Sequence, residues 1–294
     1  MPGAASSSWP MPAVTDALRR RVVLPAPARR VVSLVPSETE TVAALAGLER
    51  LVGRTEWCEE PAGRIEGVPT VGGTKKIDRA AVLALEPDLV LANQEENTRA
   101  DVEALEAAGL TVHVSFPQTI DDTAAWLRSL GTLLGREGEA QRVAARLGRD
   151  DPAPGGPRVW APVWRDPWMT FDDRTYGAAV LRRAGGVNAF GTRARLYPLA
   201  ADLGEAEAKD PGERDTRYPR LSRAQIEAAA PDVVLLADEP FRFRETHVEE
   251  LLGWDLPAAK SRRIHLVSGK DLFWYGVRTA AAVARIGALL SFPR

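Results

Sequence analysis

The sequence predicts a two-lobed α/β protein: two similar lobes, each with a mostly parallel central sheet, joined by a single long spine helix, with a ligand cleft between the lobes. Three observations predict it. Leu-Glu-Pro-Asp-Leu-Val-Leu-Ala at residues 85–92 returns as Ala-Ala-Pro-Asp-Val-Val-Leu-Leu-Ala at 229–237, with Pro87 and Pro231 144 residues apart. In each copy an amphipathic helix (78–85; 222–229) runs into Pro-Asp and then a continuous apolar strand, the pattern of a strand buried on both faces. A third match opens each half, Arg30-Val31-Val32-Ser33-Leu34 against Arg158-Val159-Trp160-Ala161-Pro162.

The elements follow in order. After a loose leader (1–28), the N-terminal lobe (29–119) opens on a buried strand at 30–34. Pro36-Ser37-Glu38-Thr39-Glu40 reads as a helix start, with Ser37 as cap, Glu40 completing a capping box, and Val42, Leu45 and Leu48 as the buried stripe. Residues 51–54 form the second strand, 90–92 the third and 111–114 the fourth, with a helix over 98–108. Alternating strands and helices imply a mostly parallel sheet. From 120 to about 149, Ala125, Leu127, Leu130, Leu133, Leu134, Val143 and Leu147 mark one long helical stretch, the spine (120–150), interrupted only by Gly135 and Gly138. Asp151-Pro152-Ala153-Pro154-Gly155-Gly156-Pro157 breaks it. The C-terminal lobe (157–294) repeats the order: strand 159–163, helix 176–184, Gly185-Gly186, then Asn188 and Phe190. Residues 199–215 carry six acidic and two basic residues and read as a solvated loop insertion.

The 294 residues suit two domains, and 38 basic against 40 acidic residues give no electrostatic reason to expect nucleic acid or an anionic membrane as partner. The single cysteine, Cys58, excludes an intrachain disulfide and a cysteine-built zinc site. The first 24 residues lack the apolar core of a signal peptide, and no run approaches the roughly 18 apolar residues of a spanning helix. A cytoplasmic monomer is therefore expected, or a periplasmic or lipid-anchored one if the true amino terminus lies upstream.

The chain resembles the helical-backbone substrate-binding proteins of ABC importers, the class that takes vitamin B12, haem and siderophores, and within it the cobalamin-binding branch. The resemblance rests on residues 30–40, on Val52-Gly53-Arg54-Thr55-Glu56-Trp57-Cys58, on Val71-Gly72-Gly73-Thr74, on the two Pro-Asp strands, on Gly185-Gly186-Val187-Asn188-Ala189-Phe190 and on Tyr218-Pro219-Arg220-Leu221-Ser222. It implies a non-enzymatic protein with no intrinsic cofactor that holds cobalamin or another corrinoid in the interlobe cleft; haem or a ferric siderophore is the alternative ligand. Receptors of this kind carry a docking glutamate at the start of the helix before each Pro-Asp strand. Here those positions hold Ala80 and Ala224, so docking on an importer in the usual way is not expected unless Asp78 or Glu227 substitutes.

Ligands of α/β sheets sit on loops at the carboxyl ends of the strands. Those loops carry Ser37 and Glu38, Trp57 and Cys58, Gly73 and Thr74, and Glu95 and Asn97 in the first lobe. In the second they carry Trp164, Arg165 and Trp168, then Glu239, Phe241 and Arg242, then Trp274, Tyr275 and Arg278. An aromatic in nearly every loop suits a large, flat, partly apolar ligand such as a corrin ring, and the resemblance puts ring contacts at Trp57 and Trp274. Capping its own lobe's core is the competing role for any single tryptophan. Arg165, Asp166, Asp238, Glu239, Arg242 and Arg278 either hold a phosphate or propionate or pair with one another. Cys58 is a cobalt ligand or an inert packing residue. A bare-metal receptor is disfavoured by only three histidines, of which His113 and His265 read as strand positions. Gly72-Gly73-Thr74-Lys75 has the wrong order for a phosphate-binding loop, and no nucleophile elbow or Cys-His pair indicates an enzyme.

Overall fold

The two Pro-Asp turns latch two parallel sheets in a computed structural model that describes residues 11–149 and 155–291. The leader before Met11, the last spine residue Asp150 and the Asp151-Pro152-Ala153-Pro154 break lie outside the described residues. The chain divides into two compact units, Met1–Pro117 with Asp122–Leu147, and Gln118–Asp121 with Gly148–Arg294.

In the first unit β1 (Ala13–Thr15) and β2 (Arg21–Val23) precede β3 (Val31–Ser33), α1 (Pro36–Ala46) and β4 (Leu51–Arg54). A two-residue hairpin, β5 (Gly72–Gly73) and β6 (Lys76–Ile77), leads to α2 (Arg79–Ala84), β7 (Leu89–Asn93), α3 (Arg99–Ala107) and β8 (Val112–Ser115). The sheet order is β4-β3-β7-β8, every pair parallel. Its strands are buried throughout β3, β7 and β8, as their unbroken apolar runs require. Asp88 explains the Pro-Asp motif: its carboxylate accepts from the backbone N–H groups of Arg29 (2.8 Å) and Arg30 (3.0 Å), fixing where β3 enters beside β7. Arg30 in turn donates to the two carbonyls just past α2, Leu85 O at 2.6 Å and Glu86 O at 3.0 Å.

Three expectations are corrected here. The described part of the leader, 11–28, is not loose: β1 and β2 pair antiparallel, and Ala17 N donates to Val114 O at 2.9 Å, fastening the hairpin to β8. Ser37 does not cap α1. Pro36 occupies the first turn, where its fixed φ and missing N–H cost nothing, and Val35 is the N-cap without a side-chain hydrogen bond. The spine is not continuous. It is two helices, α4 (Ile120–Leu134) and α5 (Glu137–Leu147), because Gly135 takes φ +64°, outside the right-handed helical region. Gly138 lies within α5 and breaks nothing.

His113 on β8 is buried and, as the sequence suggests, a strand residue. Burial pushes its pKa down to about 4; Asp16 opposes that shift and Arg20 adds to it, and Nδ1 has no hydrogen-bond partner. Between that value and the ordinary 6.5 the unfolded chain binds the extra proton, so this group removes stability as pH falls through the window. From pH 7 to pH 5 it is expected to cost about 2 kcal/mol. His113→Leu should flatten the pH dependence of the urea midpoint by that amount; an unchanged slope would show that His113 is not the titrating group.

The second unit runs β9 (Arg158–Trp160), β10 (Trp168–Met169), α6 (Tyr176–Arg183), β11 (Val187–Asn188), α7 (Leu199–Asp202), β12 (Arg220–Leu221), α8 (Arg223–Ala229) and β13 (Val233–Ala237). After these come α9 (Glu245–Leu252), α10 (Pro257–Lys260), β14 (Ile264–Val267), α11 (Gly269–Phe273) and α12 (Thr279–Leu290). The four-stranded sheet is β11-β9-β13-β14, again parallel. The latch is repeated: Asp232 accepts from Arg158 N at 2.8 Å, and Arg158 Nε donates to Ala229 O at 3.1 Å. Ser222 caps α8 with a full capping box to Gln225, and Asp78 caps α2. The core holds Trp160, Ile226, Val234, Leu236, Leu251 and Leu256. The insertion at 199–215 is not simply solvated. It contains α7, whose fully buried Asp202 accepts from Leu196 N (2.9 Å) and Arg220 N (2.6 Å) and pairs with Arg193 (3.0 Å).

Candidate functional site

In the first unit the loops at the carboxyl ends of β3 and β7 and the turn between β5 and β6 are tied together by Asn97. Its Oδ1 accepts from Asn93 N at 2.8 Å, and its Nδ2 donates to Leu34 O (3.3 Å) and Thr74 O (3.0 Å). The Asn93 side chain accepts from the N–H groups of Glu95 and Glu96, shaping the turn that carries half-buried Glu95, and Lys75 Nζ bonds the Glu95 carbonyl. Glu38 is buried in the first turn of α1 and accepts from the Ser115 hydroxyl, which in turn accepts from Asn93 Nδ2 at 3.1 Å. Ser37 is buried beside it. Three of the expected ligand residues, Glu38, Asn97 and Thr74, thus contribute to the loop framework, while Ser37 is buried in α1.

Trp57 is different. It follows β4 at 58 % exposure, an unusual position for so large an apolar surface. Gly73 makes room for it: a Cβ there would come 3.3 Å from Trp57 Nε1 and 2.9 Å from Glu56 Oε1. Cys58 does not share its exposure. The thiol is buried, bonded by the Thr39 hydroxyl at 3.0 Å and in contact with that of Thr55 at 3.2 Å. Burial pushes its pKa up, against the two threonine hydrogen bonds, so it lacks the accessible thiolate that cobalt ligation requires and is a packing residue.

In the second unit a hairpin turn folds residues 164–169 back on themselves, with Met169 N bonded to Trp164 O at 3.0 Å and Asp166 in the left-handed region at φ +61°. The turn separates its two tryptophans. Trp164 is 45 % exposed and meets half-buried Phe241 edge-on at 5.5 Å. Trp168 is buried in the core cluster, 5.2 Å from Trp160, 5.7 Å from Trp254 and stacked on Phe243 at 5.9 Å. Phe241 also touches Phe243 at 4.7 Å, so a run of rings leads from the surface at Trp164 into the core. The Arg165 guanidinium lies over the Trp168 ring and pairs with Glu250 at 2.8 Å.

Trp274 is also buried, at 7 % exposure, with Lys270 and Arg278 over its ring at 5.0 and 5.2 Å. Tyr275 is buried against Tyr176. These placements correct the expectation that Trp168, Trp274 and Tyr275 lie open on loops. Within the charged set Arg165 pairs with Asp166 at 3.5 Å, and other members bond outside it. Arg165 engages Glu250, Asp238 accepts from Gly269 N at 2.7 Å, and Arg278 lies 3.8 Å from an Asp271 that Arg285 grips through two nitrogens. Glu239 packs on Gly269, where an added Cβ would fall 2.3 Å from its Cγ.

Arg242 is exposed and lines a groove of about 640 Å³ with Leu236, Asp238, Phe243, Leu266 and Ser268 at the carboxyl ends of β13 and β14. That volume lies within the range of small-molecule sites. The sequence reading missed Leu266, Ser268 and Lys270. The rule that finds loops at strand ends reaches them from β14, a stretch that reads as a strand in the sequence but whose end was not among the expected loops. Among the described residues no group of three or more His, Cys, Asp or Glu side chains is placed to hold a metal, and no helix is long and apolar enough to cross a membrane.

Two α/β units of one repeated design, with aromatics exposed at strand-end loops and a groove of ligand size, define a ligand-binding protein of the bilobal α/β class. The chain belongs to the periplasmic binding protein family, whose pattern it matches over residues 31–267. The vitamin B12-binding protein of Yersinia pestis (strain Pestoides F) is 29% identical to it over 241 residues, 78% of this chain and 77% of that protein. Two solved structures share the fold: the periplasmic vitamin B12 binding protein of Vibrio cholerae (TM-score 0.68, 20% identity, 90% of this chain and 97% of that one) and a periplasmic heme-binding protein from Roseiflexus sp. RS-1 (TM-score 0.70, 22% identity, 90% and 98%). Members of the family are binding proteins, and its periplasmic character lends no support to the cytoplasmic expectation while agreeing with the periplasmic alternative.

Proposed function

We propose that the protein is a non-enzymatic receptor for a corrinoid, bound through the aromatic loops at the carboxyl ends of its strands. The observation that carries this reading is the exposure of Trp57 and Trp164, large rings that folding leaves in water and that a flat macrocycle would cover. The likeness to a vitamin B12-binding protein supports the choice of ligand. Phe241 and Arg242, beside Trp164 and in the groove, suit the apolar body and the polar rim of such a ligand. The protein works without the usual importer docking. Ala80 and Ala224 are exposed at the second residue of α2 and α8, and the two carboxylates that could replace a docking glutamate are already engaged: Asp78 caps α2, and Glu227 pairs with Arg223 at 2.8 Å.

Titration of the purified protein with cobalamin, cobinamide, haemin and a ferric siderophore tests the ligand. One corrinoid per chain is expected to bind with a Kd below about 0.1 mM, or roughly −5.5 kcal/mol. Corrinoid binding weaker than that, or haemin binding about tenfold tighter than either corrinoid, would replace this reading with the haem or siderophore alternative.

A further inference from the structure

Arg54, the last residue of β4, is a half-buried cation that forms no ion pair among the described residues. Its guanidinium spends its hydrogen bonds on main-chain carbonyls instead. Nε is shared between Ile65 O and Val68 O, both at 3.1 Å, and Nη1 donates to Thr55 O at 3.2 Å and to Cys58 O at 3.1 Å. One side chain thus ties the start of the loop after β4 to its end. Hydrogen bonds from an ionised donor are about twice as strong as neutral ones, and a guanidinium aims its donors in fixed directions. Four carbonyls turned on one such group fix the path of the loop.

Trp57 lies between these bonds. On one side Glu56 N donates to Gly72 O at 2.9 Å; on the other Cys58 N donates to Thr55 O at 3.1 Å, and the Cys58 thiol is seated between the Thr39 and Thr55 hydroxyls. The backbone is therefore held before and after Trp57, while the ring itself stands largely in solvent. The sheet makes no use of the Arg54 side chain. Arg54 N donates to Pro69 O at 2.9 Å, its carbonyl accepts from Val71 N at 2.8 Å, and β4 joins β3 through the main chain. The four guanidinium bonds serve the loop alone.

We propose that Arg54 is a positioning residue for Trp57: its guanidinium closes the 55–68 loop and holds the exposed ring in place before a ligand arrives. The ligand so served rests on the corrinoid reading; the clamp does not. A loop that is already ordered spares the ligand the entropy of ordering it, so the clamp raises affinity without touching the ligand. Lysine cannot replace Arg54, because an ammonium is a point donor on a flexible stem and does not span carbonyls at both ends of the loop.

The order of the Trp57 amide is measured by NMR relaxation of the full-length chain without ligand, in the wild type, in Arg54→Lys and in Arg54→Gln. An order parameter of about 0.85 is expected in the wild type, falling below about 0.6 in Arg54→Lys while the amides of β3 and β7 keep theirs. Arg54→Gln, followed in parallel, keeps the test decisive if Arg54→Lys fails to fold. Titration with cobalamin then reads the consequence for binding. Kd is expected to rise about tenfold in Arg54→Lys, and by less than about twofold more when Trp57→Ala is already present, because the clamp acts through the ring. A Trp57 amide as rigid in the variants as in the wild type would overturn the proposal. So would loss of order across β3 and β7, which would make Arg54 a support of the whole sheet, or an equal loss of affinity with and without the Trp57 ring. If the wild type binds no corrinoid, the receptor reading falls, and the order of the Trp57 amide still decides the role of Arg54.

Discussion

Trp168→Ala is expected to lower folding stability by about 3 to 5 kcal/mol while leaving the exposed rings of Trp57 and Trp164 in place. Trp168 sits on a turn, yet its ring is buried among Trp160, Trp254 and Phe243, at centroid distances of 5.2, 5.7 and 5.9 Å. Removing it opens a cavity that rigid neighbours on β9 and in the loop after β13 cannot close. It also removes the surface on which the Arg165 guanidinium rests. A urea melt at neutral pH measures the loss. A change below about 1 kcal/mol, combined with weakened ligand binding, would return Trp168 to the ligand site.

Trp57→Ala and Trp164→Ala should do the opposite. Each is expected to weaken corrinoid binding by about 2 kcal/mol, close to thirtyfold. Both rings are about half exposed and Trp164 also meets Phe241 edge-on, so the same substitutions should lower folding stability by no more than about 1.5 kcal/mol. Trp57 carries an internal control. Because its indole lies against Gly73, Gly73→Ala should shift the ring without deleting it and produce a smaller loss. Full affinity in either tryptophan variant would remove that ring from the site.

The sequence made the repeated core easy to read, because fully buried parallel strands write themselves as apolar runs and Pro-Asp marks where each begins. The strand expected at 90–92, found at 89–93, and the strand at 233–237, each with its preceding helix, followed from that signal. The site was harder. Trp164 and Trp168 look alike in sequence, both in a charged, proline-containing stretch, and only the hairpin turn at Asp166 sends one outward and the other into the core. Adjacent Trp57 and Cys58 part in the same way, one exposed and one buried. The spine misread has a simple cause: buried Leu133 and Leu134 lie before the break and buried Ala140 and Ala144 after it, so the apolar spacing carries across a glycine whose φ it does not reveal.

The hairpin of residues 13–23 has a practical meaning for how this chain is handled. β8 is the last strand of its sheet, and a bare outer strand is a template on which other chains can add and aggregate. Ala17 occupies the Val114 carbonyl, Asp16 receives the Val114 N–H at 3.4 Å, and Arg20 reaches Val112 O at 3.4 Å. The eleven residues of this hairpin, which a sequence-drawn boundary at Arg29 would discard, therefore cover that outer strand. A version trimmed to that boundary would be expected to fold its core and still precipitate.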